Sequence, residues 1–223
     1  MDWTYNTIWT EQLPSGQFQN VTCTNTKANL SEHIPGSYFI VNNFKPKNRC
    51  FDSFSAITTA IFLELNLSNI HSFHGISNLG PIKRLELFYC TKLEKDDGLS
   101  ELKDDIEWLH INQSKKFSAN EDLLKLKKLK VLCLNSCAPL ENLQFLKEFP
   151  ELVDFRFVNT DVLDGDLTPL LEHPRLLNAG FRNKRHYNLK ENEADEHFDK
   201  KSEPEKDWVY KGRFRTFRYK IFS

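Results

Sequence analysis

Apolar residues recur along this chain with one repeated spacing, in segments roughly 20–24 residues apart. The template is apolar at positions 1, 4, 6 and 12, with a small or semi-polar residue favoured at position 9. The first copy reads Phe62, Leu65, Leu67, Ile70, Phe73 and the second Ile82, Leu85, Leu87, Cys90, Leu93. Ile106, Leu109, Ile111, Ser114, Phe117 and then Leu129, Leu132, Leu134, Cys137, Leu140 follow. The fifth copy is Leu152, Phe155, Phe157, Thr160, Leu163; a degenerate sixth is Leu176, Ala179, Phe181, Lys184, Tyr187. Positions 4 to 6 alternate with period two, which predicts a short strand pointing that pair inward. Between copies, groups such as Ile76 with Leu79, Leu99 with Leu102, and Leu167 with Leu170 have the three-to-four spacing of a helical turn. The expected architecture is α/β: a solenoid with a parallel concave sheet, short convex helices or turns, and β caps at both ends.

Outside residues 51–188 the pattern changes. Residues 1–50 carry no repeat, but Gly36–Asn42 is strand-like and follows a Pro-Gly turn signal, so this region is expected to form an N-terminal β cap. Residues 189–223 divide in two. The first part is densely charged and nearly devoid of apolar side chains, which predicts an exposed linker. The second interleaves Lys211, Arg213, Arg215, Arg218 and Lys220 with Trp208, Tyr210, Phe214, Phe217, Tyr219 and Phe222. A parity shift among these aromatics suggests two short strands, serving either as a cap or as a basic-aromatic binding arm.

The stretches Ile82–Leu93, Leu129–Leu140 and Leu152–Leu163 carry a resemblance to the leucine-rich-repeat superfamily, in its shorter-repeat branch. Asp164–Tyr187 further resembles the end of small bacterial cytoplasmic leucine-rich-repeat proteins, some of which accompany polymorphic toxins as immunity factors. The resemblance implies a binding scaffold without catalysis. It also implies that Cys90, Ser114, Cys137 and Thr160 turn inward at the bend, where backbone polar groups need partners.

Formal net charge is −1, so no global field favours nucleic acid or a membrane. No apolar run reaches the length of a membrane span, and the start at Met1-Asp2-Trp3-Thr4 has no secretory character. Five cysteines without paired spacing suit a reducing, cytoplasmic compartment. The histidines His71, His74, His110, His173 and His186 fall in different columns and should diverge, so neither a metal nor another cofactor is expected. No nucleotide-binding or hydrolase motif occurs.

Function is therefore expected on the outward side chains of the strands. The candidate partner-binding residues are Arg84, Glu86, Phe88, Trp108, His110, Asn135, Asp154, Arg156 and Arg182, since aromatic and arginine anchors dominate interface energetics. The partner would be a protein, for example a toxin or an enzyme, met by a chain that is monomeric when free. The opposing expectation is that terminal segments fold over Trp108 and close this face.

Overall fold

The computed structural model describes residues 1–23, 33–202 and 205–222. Eight strands form one sheet in sequence order: β1 (Phe18–Thr22), β2 (Tyr38–Asn42), β3 (Phe62–Asn66), β4 (Arg84–Phe88), β5 (Trp108–Asn112), β6 (Val131–Asn135), β7 (Asp154–Arg156) and β8 (Asn178–Gly180). Every neighbouring pair is parallel. Leu85, Leu109, Leu132 and Phe155 stand side by side, as do Leu87, Ile111 and Leu134. The return segments are short 3-10 turns at Ile76–Leu79, Leu99–Leu102, Leu123–Lys125 and Gln144–Glu148, and one helix, α1 (Thr168–Glu172). Their inward residues, among them Leu79, Leu99 and Leu170, meet the strand leucines in one continuous core. An eight-strand parallel sheet with such short returns is compatible with a repeat solenoid.

A recurrent backbone device turns each coil. The residue after β2 to β6, namely Asn43, Leu67, Tyr89, Gln113 and Ser136, has φ between 52° and 58°, and Asn159 after β7 has φ 60°. This left-handed step aims the next side chain inward. There the Ser68 hydroxyl donates to the Phe44 carbonyl (2.6 Å) and Thr160 Oγ1 donates to the Leu134 carbonyl (2.6 Å). The thiols of Cys90 and Cys137 point at the Leu65 and Ile111 carbonyls at 3.8 and 3.6 Å. At these four places one repeat satisfies a carbonyl of an earlier one, because a strand end buried in the core cannot reach water. Ser114 occupies the same column, but its hydroxyl makes no hydrogen bond.

Two local expectations need correction. In the first copy the inward pair is Leu63 and Leu65, beside Leu85 and Leu87, and Ser68 takes the polar column. The expected frame was two residues late, and a slip of two keeps the alternation of faces, so the pattern cannot detect it. Leu67 consequently lies in the turn, half exposed. In the fifth copy Val162 is the buried residue and Leu163 is exposed. The N-terminal region expected as a β cap contributes β1 and β2, which extend the same sheet. These strands escaped the template partly because an inward place of β1 holds the polar Gln19, in register with Phe39 and Leu63.

The charged linker is also not a linker. Residues Glu191–Ser202 form α2, which packs on β8. Ala194 and Phe198, four apart, share one helical face and are buried together with Leu189. Two apolar residues suffice to seat a helix whose other faces are solvated. The C-terminal segment forms an antiparallel hairpin of β9 (Lys206–Lys211) and β10 (Phe214–Tyr219), followed by a 3-10 turn at Lys220–Phe222. It lies over the concave side of the sheet.

Thr160→Val tests the bend. It removes the bond to the Leu134 carbonyl and the one accepted from the Cys137 amide (2.9 Å), leaving two buried groups unpaired. The expected loss is about 1–3 kcal/mol of unfolding free energy, read by urea titration.

Candidate binding surface on the concave face

The outward side chains form three columns across the strands. The first contains Phe62, Arg84, Trp108, Val131, Asp154 and Asn178; the second Glu64, Glu86, His110, Cys133, Arg156 and Gly180; the third Asn66, Phe88, Asn112 and Asn135. Phe62 and Glu64 head the first two columns because the inward pair of the first copy is Leu63 and Leu65.

The chain termini roof the first column. Arg84 donates from Nε to Glu86 Oε1 (2.7 Å) and from its Nη atoms to the carbonyls of Trp3, Tyr5 and Asn6. Its guanidinium also lies 3.9 Å from the Trp108 ring centroid. Trp108 stacks in turn on Phe222. Asp154 receives two bonds from Arg156 (3.0 and 2.7 Å), one from Asn178 (3.0 Å) and one from the Tyr219 hydroxyl (3.1 Å). Coulombic attraction to Asp154 holds the Arg156 guanidinium firmly charged, and burial raises the Tyr219 phenol. The two terminal segments are joined by the Asn6 amide donating to the Phe217 carbonyl (2.6 Å) and the Thr7 amide donating to Thr216 Oγ1 (2.8 Å).

Arg84, Glu86, Trp108 and Asp154 were expected on an open binding face, and all four are buried. Trp108, Val131, Cys133, Val153 and Tyr219 form a second apolar cluster with Leu177, Phe217, Ile221 and Phe222 around it. The aromatic and arginine anchors that pointed to a partner are met by the chain's own ends. The basic-aromatic segment is thus a cover, laid over the concave floor and not over the last coil.

Phe88, His110, Asn135 and Arg156 remain half exposed, and Arg182 is exposed. The first four line a cavity of about 350 Å³ between the sheet and residues Asn6, Thr7 and Ile8; Arg182 lies outside it. Asn135 Nδ2 donates to His110 Nε2 (3.1 Å), and the Phe88 ring meets the imidazole edge-on at 5.1 Å. Burial lowers the pKa of His110, so its ring is neutral at neutral pH. Cys133 sits beside His110 on the next strand, but burial drives its thiol upward, away from the thiolate. Burial likewise pushes Cys90 and Cys137 up to about 12.

The rim beside the cavity carries residues that the sequence reading did not single out. Leu67 is 50% exposed and Tyr89 53% exposed, both at the left-handed turn position. Asn fits that conformation well, whereas Leu and Tyr do not. The available signal was the position itself, one residue past the strand, where Asn43 stands after β2. A second exposed group sits at the hairpin end: Tyr210 and Phe214 are exposed, and Arg215 stacks on the exposed Trp208 at 4.1 Å.

The remaining histidines do not converge. His71 lies against Arg49, His74 near Glu101, His173 on the Phe149 carbonyl, and His186 by Asp161. Among the described residues, no group of three or more His, Cys, Asp or Glu side chains could hold a metal ion. No described helix is long and apolar enough to cross a membrane. The chain is an α/β protein with an eight-strand parallel sheet and short returns, compatible with a repeat solenoid, and one face of that sheet is partly roofed by the chain's own termini. No family profile, curated protein or solved structure matches it.

Two outcomes follow from this geometry. Arg84→Met leaves Glu86 buried without its partner and frees three carbonyls, so it should cost about 3–5 kcal/mol and speed amide hydrogen exchange near the N-terminus. Stability should also depend on pH below neutrality. Burial depresses His110 and His173 in the folded chain, while in the unfolded chain a histidine titrates near about 6.5. The unfolded state then binds more protons as pH falls, so stability is lost from about pH 7 toward 5. His110→Gln should flatten that slope in urea titrations at several pH values.

Proposed function

We propose that this chain is a short-repeat member of the leucine-rich-repeat superfamily and acts without catalysis, as a protein-binding scaffold. The Leu-x-Leu columns and the inward polar column at the bend support the family assignment. The observation that carries the function is the pair of exposed apolar residues Leu67 and Tyr89 at the turns after β3 and β4, the latter next in sequence to Phe88, which lines the cavity. Leu67 and Tyr89 sit in a backbone conformation that costs an ordinary residue about 1–2 kcal/mol. Strain retained at an exposed apolar rim is explained by what the side chains contact outside the chain. The partner is a protein that this chain neutralises or regulates, in the manner of the toxin-immunity proteins its later repeats resemble. Five unpaired thiols, all buried, suit a reducing cytoplasmic setting.

The exposed Trp208, Tyr210 and Phe214 favour a second reading, an adaptor docked through the hairpin end onto an enzyme or ribonucleoprotein. Quantitative affinity capture from the native host, comparing wild type with two double variants, separates these readings. Phe88→Ala with Tyr89→Ala should lose the captured protein at least 10-fold, while Tyr210→Ala with Phe214→Ala retains it. The reverse result assigns the interface to the hairpin and takes it away from Phe88 and Tyr89. Tyr89→Asn should weaken capture while leaving the urea midpoint unchanged or higher, because Asn relieves the left-handed turn.

A further inference from the structure

The charges lining the cavity match in number, Arg84 and Arg156 against Glu64 and Glu86, but not in pairing, because Arg156 is spent on the buried Asp154. Arg84 is committed to Glu86 and to three backbone carbonyls. Arg156 is committed to Asp154 through two parallel hydrogen bonds. His110 accepts from Asn135 and adds no positive charge at neutral pH. Glu64 is different. Its Oε1 accepts one hydrogen bond from Asn66 Nδ2 (2.7 Å), and among the described residues no basic group lies within ion-pair distance of it. It lines the cavity between Phe62 and Phe88, with Glu86 next to it on β4. Burial pushes its pKa up and Glu86 adds to this, while the Asn66 hydrogen bond and the more distant Arg84 charge only partly oppose them.

We propose that this cavity takes one cationic side chain from the partner, the guanidinium of an arginine or the ammonium of a lysine, with Glu64 as its counter-charge and Phe88 as its aromatic wall. The volume of about 350 Å³ lies at the small end of ligand pockets, suited to a single side chain. A planar guanidinium fits best. It presents several donors to a carboxylate while its face packs on an aromatic ring. Asn66, which already holds Glu64 Oε1 from one side, fixes the carboxylate in place. The inference rests on the docking reading above and specifies what the partner must insert.

The probe is Nα-acetyl-arginine-methylamide, titrated into the full chain while the His110 ring resonances are followed by NMR. The neutral isostere Nα-acetyl-citrulline-methylamide and the acidic Nα-acetyl-glutamate-methylamide are run in parallel. Saturable shifts at His110 with the arginine probe, at least 10-fold weaker with citrulline and with Glu64→Gln, are the expected result. Glu64→Gln should retain the wild-type thermal midpoint within a few degrees. No saturable shift with arginine, equal binding by Glu64→Gln, or preference for the acidic probe overturns the proposal. Affinity capture separates this failure from failure of the docking reading. If Glu64→Gln keeps the partner while Phe88→Ala with Tyr89→Ala loses it, the docking reading stands and the cation pocket falls.

Discussion

Each coil must return to its starting point one strand spacing further along, with its backbone turning through a dry interior. That requirement governs the rest of the structure. A parallel crossover ordinarily uses a dozen or more residues including a helix. Here the returns carry 3-10 turns or the short α1, and the reversal beyond the strand uses one left-handed residue, followed by Phe44 after β2 and by an inward Ser, Cys or Thr in later repeats. Except at Ser114, the polar side chain at that place bonds a carbonyl of an earlier repeat, so these repeats are tied by polar contacts as well as by leucine packing. The same turn sets the height and direction of the rim. Leu67 and Tyr89 project outward because their backbone is committed to bringing Ser68 and Cys90 inward.

The concave face shows how charged groups stay buried. Arg84 and Asp154 each stand at a strand start where the termini close over the sheet, and each has its polar valences met almost completely. A buried charge with such a network is costly to disturb from either side. Arg84 therefore ties the first residues of the chain to the middle of the sheet, and the Tyr219 hydroxyl does the same for the last strand. The result is a half-covered groove. Its covered half is apolar and ion-paired, and its open half holds Glu64, His110 and Phe88.

Much of the fold was legible from residue spacing. Leu85, Leu109, Leu132 and Phe155 line up as their period required, and Gly36–Asn42 contains β2. The misreadings have specific causes. A two-residue slip in the first copy preserved alternation and so went undetected. Gln19 in an inward place hid β1. In α2, Ala194 and Phe198 were too few apolar residues to stand out against a dense run of charge. Of the candidate binding residues, Phe88, His110, Asn135 and Arg156 line the cavity from its open side, Arg182 is exposed elsewhere, and Arg84, Glu86, Trp108 and Asp154 are buried.

Sequence alone determined which side chains leave the sheet on its outer face, because strand periodicity depends only on neighbours in the chain. Whether that face meets solvent was decided by tertiary structure. The segments that cover Trp108 come from the two ends of the chain, and contacts between residues so far apart leave no local period to read. Only the folded chain shows that Arg84 is spent on Glu86 and on carbonyls of Trp3, Tyr5 and Asn6, while Glu64 makes no ion pair among the described residues.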